Sequence, residues 1–387
     1  MATAHVNPAV LRWAADRADI QPDDLSKSMR RSISTIEGWL EGSSTPTFRQ
    51  AQDLAKRLRV PFGYLFLTDP PAEELPLPDF RRTRSGGSRK PSVDLLDVIA
   101  DALRHQDWYR DFRLDADEPP LPFVGRFSDR SAVTDVATDI IRSLDFESEV
   151  RRESQQDQFL RTFVRQVESL GILVMRNGIV RQATNRALDV EEFRGFSIAD
   201  PMAPVIFINN ADSQAAQIFT LAHELAHVWI GQGGISDADP TIAGSPPFNI
   251  EAYCNEVAGE VLLPWDRIAD RWRRRTSSET EWLRRISGEF RVSTVMVARQ
   301  LWAHEAISRE RFFELYEAER AQWVTQRTAT SSGGDFYKSV PIRNSRLLTE
   351  AVLESVAASE TLIRDASRLL GVKPANLSKL RESMGYA

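Results

Sequence analysis

Apolar positions recur at helical spacing over residues 8 to 67, and the polar punctuation between them predicts five short helices. Pro8 stands where a first helical turn tolerates proline. "AVLRWAADRADI" follows, then "PDDLSKSM" with acids in its first turn, then "RRS" and "ISTIEGWLEG", closed by Gly42. In "PTFRQAQDLAKRLRV", Phe48, Ala51, Leu54, Ala55 and Leu58 share one face, and "PFGYLFL" ends the unit. The proline-rich and then glycine/serine-rich "TDPPAEELPLPDFRRTRSGGSRKPS" reads as a linker or extended arm.

Beyond it, residues 93 to 112 and 131 to 170 are patterned as helices, broken by "DADEPPLPF". The period then shortens to about two. "GILVMRNGIVRQ" sets Asn177-Gly178 between two β-rich runs and predicts a hairpin. "FRGFSIAD" and "APVIFINN" supply two more strands, and a long helix runs from near Asp212 to Gly231. "NIEAYCNEVAGEVLLP" reads as another helix, stopped at Pro264. Helical stretches over roughly 279–324 and 346–382, separated by "TATSSGGDFYKSVPIRN", complete the chain. Within the last, "TLIRDASRLLGVKPANLSKLRES" faintly echoes a helix-turn-helix and is read as a capping helical hairpin. The fold class is α+β.

Composition adds little to this picture. At 42% hydrophobic and 27% charged, the chain has ordinary globular usage, and its 387 residues suggest two or three domains. No apolar run is long enough for a membrane span, and "MATAHVNPAVLRWAADRADI" lacks a signal-peptide pattern. One cysteine, Cys254, excludes an intrachain disulfide framework, so the cytoplasm is the expected compartment. Net charge is −6, yet the first 68 residues carry nine Lys/Arg against seven Asp/Glu, and "RRTRSGGSRK" adds a basic run. Any nucleic-acid contact belongs to the N-terminal end.

Two of the five histidines lie in "FTLAHELAHVWIGQGG". His223 and His227 are four apart, on one helix face, so both rings can meet one Zn²⁺, and Glu224 stands beside them as a base. A third ligand must come from elsewhere, leaving a fourth position for water. Cys254, His304, Asp237, Asp239, Glu251 and Glu256 are the candidates. Spacing on the "NIEAYCNEVAGEVLLP" helix groups Glu251 with Asn255 and Glu256 with Glu260. Tyr253 and His304 are candidates, on residue type alone, for stabilising an oxyanion.

"FTLAHELAHVWIG" followed by "IEAYCNEVAGEVLLP" resembles the ImmA/IrrE family of zinc-dependent peptidases. The resemblance implies a zincin-like metallopeptidase domain with Zn²⁺ on His223, His227 and Glu251, and Glu224 as catalytic residue. Cys254 takes a position where that family allows alanine or cysteine. "LDVEEFRGFSIADPMAPVIFINN" is similar to the sheet segment of the longer members, and "APVIFINN" is expected beside the cleft, where it can pair with an extended substrate.

"DLSKSMRRSISTIEGWLEGSSTPTFRQAQDLAKRL" resembles the helix-turn-helix of Xre/Cro-type repressors. That likeness places Arg31, Ser32, Ser34, Thr35 and Gly38 toward a DNA groove, and Arg30, Arg31 and Arg49 on phosphates, with Ile36, Trp39 and Leu40 inward. No Gln or Asn, and no Arg beyond the first turn, equips this helix for bidentate base contacts, and Glu37 and Glu41 oppose DNA. The expected organisation is a helix-turn-helix over 1–68, a basic linker over 69–95, the peptidase over 96–325 and a helical hairpin region over 326–387. The expected partners are a repressor- or antitoxin-like protein substrate and DNA, with no membrane; a homodimer stays open. The rival class is a transcriptional regulator or antitoxin whose peptidase-like domain only senses or binds.

Overall fold

The computed structural model describes residues 2–72, 75–80, 91–236, 250–326 and 335–385. They form two compact units, Met1–Pro76 with Lys90–Asp97, and Leu77–Arg89 with Val98–Ala387. The first unit holds α1 (Pro8–Arg17), α2 (Pro22–Met29), α3 (Ile33–Glu41) and α4 (Phe48–Arg57), then a 3₁₀ turn over Phe62–Phe66. The fifth expected helix is therefore this 3₁₀ turn. Local chemistry sets the ends. Asn7 caps α1 through Ala9 N, Thr47 and Gln50 close a capping box on α4, and Gly42 ends α3 at φ +82°. Ile36, Trp39 and Leu40 point into a core shared with Leu11, Leu25, Leu54 and Leu65. Phe48 is the exception on its predicted face. It is 47% exposed and meets Phe62 edge-on at 4.9 Å.

In the second unit, α5 (Val93–Asp115, shared with the first unit), α6 (Val133–Ser143) and α7 (Gln156–Ser169) lead into β1 (Leu173–Asn177), β2 (Gly195–Ile198) and β3 (Val205–Asn209). Then come α8 (Gln214–Trp229), β4 (Ile235–Ser236) and α9 (Ile250–Leu262). Four helices follow: α10 (Trp265–Arg273), α11 (Glu279–Phe290), α12 (Thr294–Ala303) and α13 (Arg309–Gln326). The chain closes with α14 (Phe336–Asn344), α15 (Arg346–Ala357), α16 (Ile363–Leu370) and α17 (Leu377–Ser383). Helix α14 falls inside what the sequence marks as a separator, and it carries Pro341 within its length.

The sheet runs β1-β3-β2-β4, with β1 parallel to β3 and β2 antiparallel to both β3 and β4. Two expectations fail here. Asn177-Gly178 is no hairpin turn, because β1 ends at Asn177 and pairs with β3, and the following run makes only the bridge Ile179–Ala187. Gly178 is not at positive φ, which a tight hairpin turn of this kind requires. It is glycine for space, since a Cβ there would lie 3.0 Å from Ala211 N. Nor can β3 receive a substrate strand. It is central, fully buried and paired on both sides.

Helix α8 starts at a Ser213 cap that accepts from Ala216 N, and every residue from Gln217 to Trp229 is buried. A helix buried all round belongs inside a core, and its polar residues there need partners. It packs on β2 and β3 with one side and on α7 and α9 with others. Trp229 stacks on Phe123 at 4.6 Å and donates its indole N–H to Asp139 at 2.9 Å, which fixes the end of α8 against α6. Burying such a side chain contributes about 3 kcal/mol.

The C-terminal helices rest on β1 and α7 through α14 and α15. At their junction Glu168 of α7 accepts from Ser345 Oγ at 2.5 Å and from Arg346 N at 2.8 Å, where α15 begins. Burial pushes the Glu168 carboxyl up to about 7 in spite of these donors. An acid raised on folding favours the folded state most when protonated. Its contribution is complete below the ordinary carboxyl value and is lost as pH rises through 7, by up to about 3 kcal/mol. Thermal melts from pH 5 to 8 are expected to show wild type weakening relative to Glu168→Gln; parallel curves would contradict this.

Candidate metal centre

Helix α8 brings His223 and His227 to one face, and α9, packed along it, brings Glu251 between them. All three are buried, at 0%, 0% and 2% exposure. The two Nε2 atoms are 3.1 Å apart, and the Glu251 oxygens lie 3.3 Å from His223 Nε2 and 3.2 Å from His227 Nε2. Ligands at ~2.0–2.1 Å around a tetrahedral ion stand about 3.3 Å from one another, so these spacings fit Zn²⁺. Burial opposes the Glu251 carboxylate, but the two imidazoles beside it bring its pKa to about 2, which keeps it an anionic donor.

The far side of each ring is also held. His223 Nδ1 donates to Asn255 Oδ1 at 2.9 Å, and His227 Nδ1 to the Gln232 carbonyl at 2.9 Å. Both bonds fix the tautomer with Nε2 free to ligate, the arrangement that raises ligand basicity. Asn255→Ala is expected to weaken metal affinity by about 10–100-fold with little loss of fold, measured by competition against a chelator. Unchanged affinity would exclude the orienting role.

Glu224 is buried completely. Ser236 donates its hydroxyl to Glu224 Oε1, while Oε2, sealed from solvent, has no hydrogen-bond partner among the described residues. Burial pushes the Glu224 carboxyl up from its ordinary value. Gly195 on β2 makes the room. A Cβ there would come within 2.6 Å of Thr220 Cγ2 and 3.0 Å of Glu224 Oε1.

Leu77–Phe80, within the expected linker, borders this centre. Ile235 of β4 donates its N–H to the Pro78 carbonyl at 2.8 Å and accepts from Phe80 N at 2.9 Å, so the segment adds a parallel bridge on β4's outer side. The Phe80 ring stacks on His227 at 5.6 Å with 6° between planes. Gly234 permits it, because a Cβ would lie 2.4 Å from Phe80 Cε2.

The other candidates do not join the group. Cys254 is buried on α9 and its thiol touches His227, but it stands outside the group of ligand atoms within 4.8 Å of one another, and burial pushes its thiol up. His304 stacks on Trp265 and bonds Glu260 at 3.1 Å. Glu256 is likewise outside the group, and the Tyr253 hydroxyl donates to the Ser131 carbonyl at 2.9 Å. Asp237, Asp239 and the basic run 81–90 lie outside the described residues. Of the supporting residues, Asn255 shares the Glu251 face in the sequence, while Gln232, Ser236 and Phe80 carry no sequence signature as such. Only the glycines of "GQGG" hint at a crowded loop.

In the N-terminal unit, Arg30, Arg31, Ser32, Ser34 and Arg49 are exposed and Thr35 is half-buried. Ser32 caps α3 and bonds Thr35 Oγ1 at 2.7 Å and Ser34 Oγ at 3.1 Å. Gly38, expected toward a groove, is buried. A Cβ there would meet Ser44 Oγ at 2.6 Å.

Among the described residues, no helix is long and apolar enough to cross a membrane. Residues 167–301 match the family model of the IrrE N-terminal-like domain (Peptidase_M78), which spans β1 to α12 and supports a likeness to the ImmA/IrrE metallopeptidases. Residues 344–383 match a domain of unknown function, DUF8813. No curated protein matches the chain.

Proposed function

We propose that the chain is a zinc-dependent endopeptidase joined to a DNA-binding helical module, a regulator that cleaves a repressor- or antitoxin-like protein. The observation that carries the catalytic part is the buried group of His223, His227 and Glu251 with the unpartnered Glu224 oxygen beside it. His223, His227 and Glu251 would hold the ion, which supplies a Lewis acid and makes a water nucleophilic near neutral pH. Glu224 Oε2 takes the water's proton and returns it to the leaving amine. Ser236 holds the other carboxylate oxygen, so the base stays oriented through both transfers. Asn255 and the Gln232 carbonyl keep the rings aligned.

A fourth protein ligand from Cys254 or His304 would favour the rival, a non-catalytic sensor. The positions of both outside the group favour catalysis. For the N-terminal unit, exposed Arg30, Arg31 and Arg49 around the Ser32-capped start of α3 support phosphate contact more than base reading. The test incubates the purified chain, with zinc or with a chelator, together with each protein encoded beside it. Intact masses of both proteins are then read. Zinc-dependent cuts in the partner support the proposal, and fragments of the chain itself would assign self-cleavage within 69–95. A zinc-loaded chain that leaves every candidate intact would turn the reading to the sensor.

A further inference from the structure

A cavity of about 380 Å³ lies away from the metal centre, between α5, the end of β1, and the C-terminal ends of α14 and α16. It therefore sits where the helices of the 344–383 region meet the edge of the sheet. Its size is that of a small-molecule site. Part of its wall is apolar, from Val98, Met175 and Phe207.

Its charges do not balance. Asp101 is the one acid on the wall, and it is already engaged. Arg181 grips both its oxygens at 2.8 and 2.9 Å, and Arg104 bonds it at 2.5 Å. Two further arginines, Arg343 and Arg368, line the same cavity with no acidic partner among the described residues. Arg343 is half-buried over the Phe336 ring at 5.3 Å and lines the cavity without an acidic partner among the described residues. A partly desolvated guanidinium without a counter-charge is costly, and the cavity it lines is where an anion would sit.

His105 adds a second unmet demand. Its Nε2 lies 2.8 Å from the Leu369 carbonyl, which can only accept, so Nε2 carries the proton and Nδ1 is a lone-pair acceptor. Nδ1 is buried and has no partner. Burial lowers the pKa of this imidazole, in keeping with the neutral ring.

We propose that this cavity binds a small organic anion, a phosphate or carboxylate on a compact apolar body, with its charge on Arg343 and Arg368 and a hydrogen-bond donor toward His105. Occupancy would be registered at both partners of the junction. Phe207 is on β3, one strand from Gly195, while Leu369 and Arg368 end α16.

The test uses the full chain and three probes: inorganic phosphate, phenyl phosphate and benzoate, each against sodium chloride of equal ionic strength. Binding is read by calorimetric titration and by thermal melts. Phenyl phosphate or benzoate is expected to bind saturably and about tenfold or more tighter than inorganic phosphate, the apolar wall supplying the difference. The tighter of the two identifies the anionic group. Arg343→Gln and, separately, Arg368→Gln are each expected to weaken binding about tenfold. Arg368 is exposed, so its variant decides the matter even if Arg343→Gln does not fold. No saturable binding of any probe above chloride, or binding unchanged in Arg368→Gln, would overturn the proposal. Both readouts are independent of peptidase activity.

Discussion

Glu224→Gln is expected to keep bound zinc at wild-type stoichiometry while cleavage of the protein substrate falls by about 10²–10⁴-fold. The amide is nearly isosteric and can still accept from Ser236 through its oxygen, so the α8 packing survives. What disappears is a carboxylate able to take a proton. Burial favours that choice of base, because a carboxyl pushed up from its ordinary value holds a proton firmly enough to deliver it to an amine. Metal analysis and cleavage rates on the same preparations check the expectation. Loss of zinc in Glu224→Gln would instead make this residue a ligand or a structural support. Full activity would remove it from the mechanism.

The second large effect concerns stability. Without the ion, two imidazole Nε2 atoms 3.1 Å apart and a carboxylate are enclosed together. Zinc binds the folded chain and is worth little to the unfolded one. At a free concentration of about 1,000 Kd it should stabilise by about 4 kcal/mol. In a unit of this size that is roughly 6 °C in Tm. Glu251→Gln is expected to lose most of this gain, because it replaces the one anionic ligand by a weak donor. His227→Ala should lose it too. Melts with zinc and with a chelator separate the cases, since the variants should resemble chelated wild type in both conditions. A wild type indifferent to zinc would mean that the three side chains are only a packed cluster.

Much of this centre was legible in one dimension, and the reason is helical geometry. Residues four apart must share a face, so His223, Glu224 and His227 declare their relation without any tertiary information. Glu251 was different. Spacing alone left it among six candidates, and only the likeness to a known family singled it out. What the sequence concealed depends on contacts between distant segments. Spacing set Asn255 on the face of Glu251, but its role appears only when α9 lies along α8 and its amide oxygen meets His223. Ser236 reaches the site from β4 and Phe80 from the distant segment bridged to it. The Asn177-Gly178 pair misled because glycine serves two ends, positive φ and missing bulk, and here the Ala211 backbone demanded the second. The central place of β3 was equally hidden, since a fully apolar strand pattern says that it is buried but not which strands flank it.

The bridge that Leu77–Phe80 makes to β4 has a consequence for anyone who would shorten this protein. A truncation beginning at Val98 would retain every metal-site residue and still expose a different surface. Ile235 would lose both partners of its backbone N–H and C=O, and one face of the His227 ring would open to water. Such a bare, sticky margin invites neighbouring chains to add themselves strand by strand. A fragment starting at Leu77 carries its own selvage, and should stay monodisperse where the shorter one clumps.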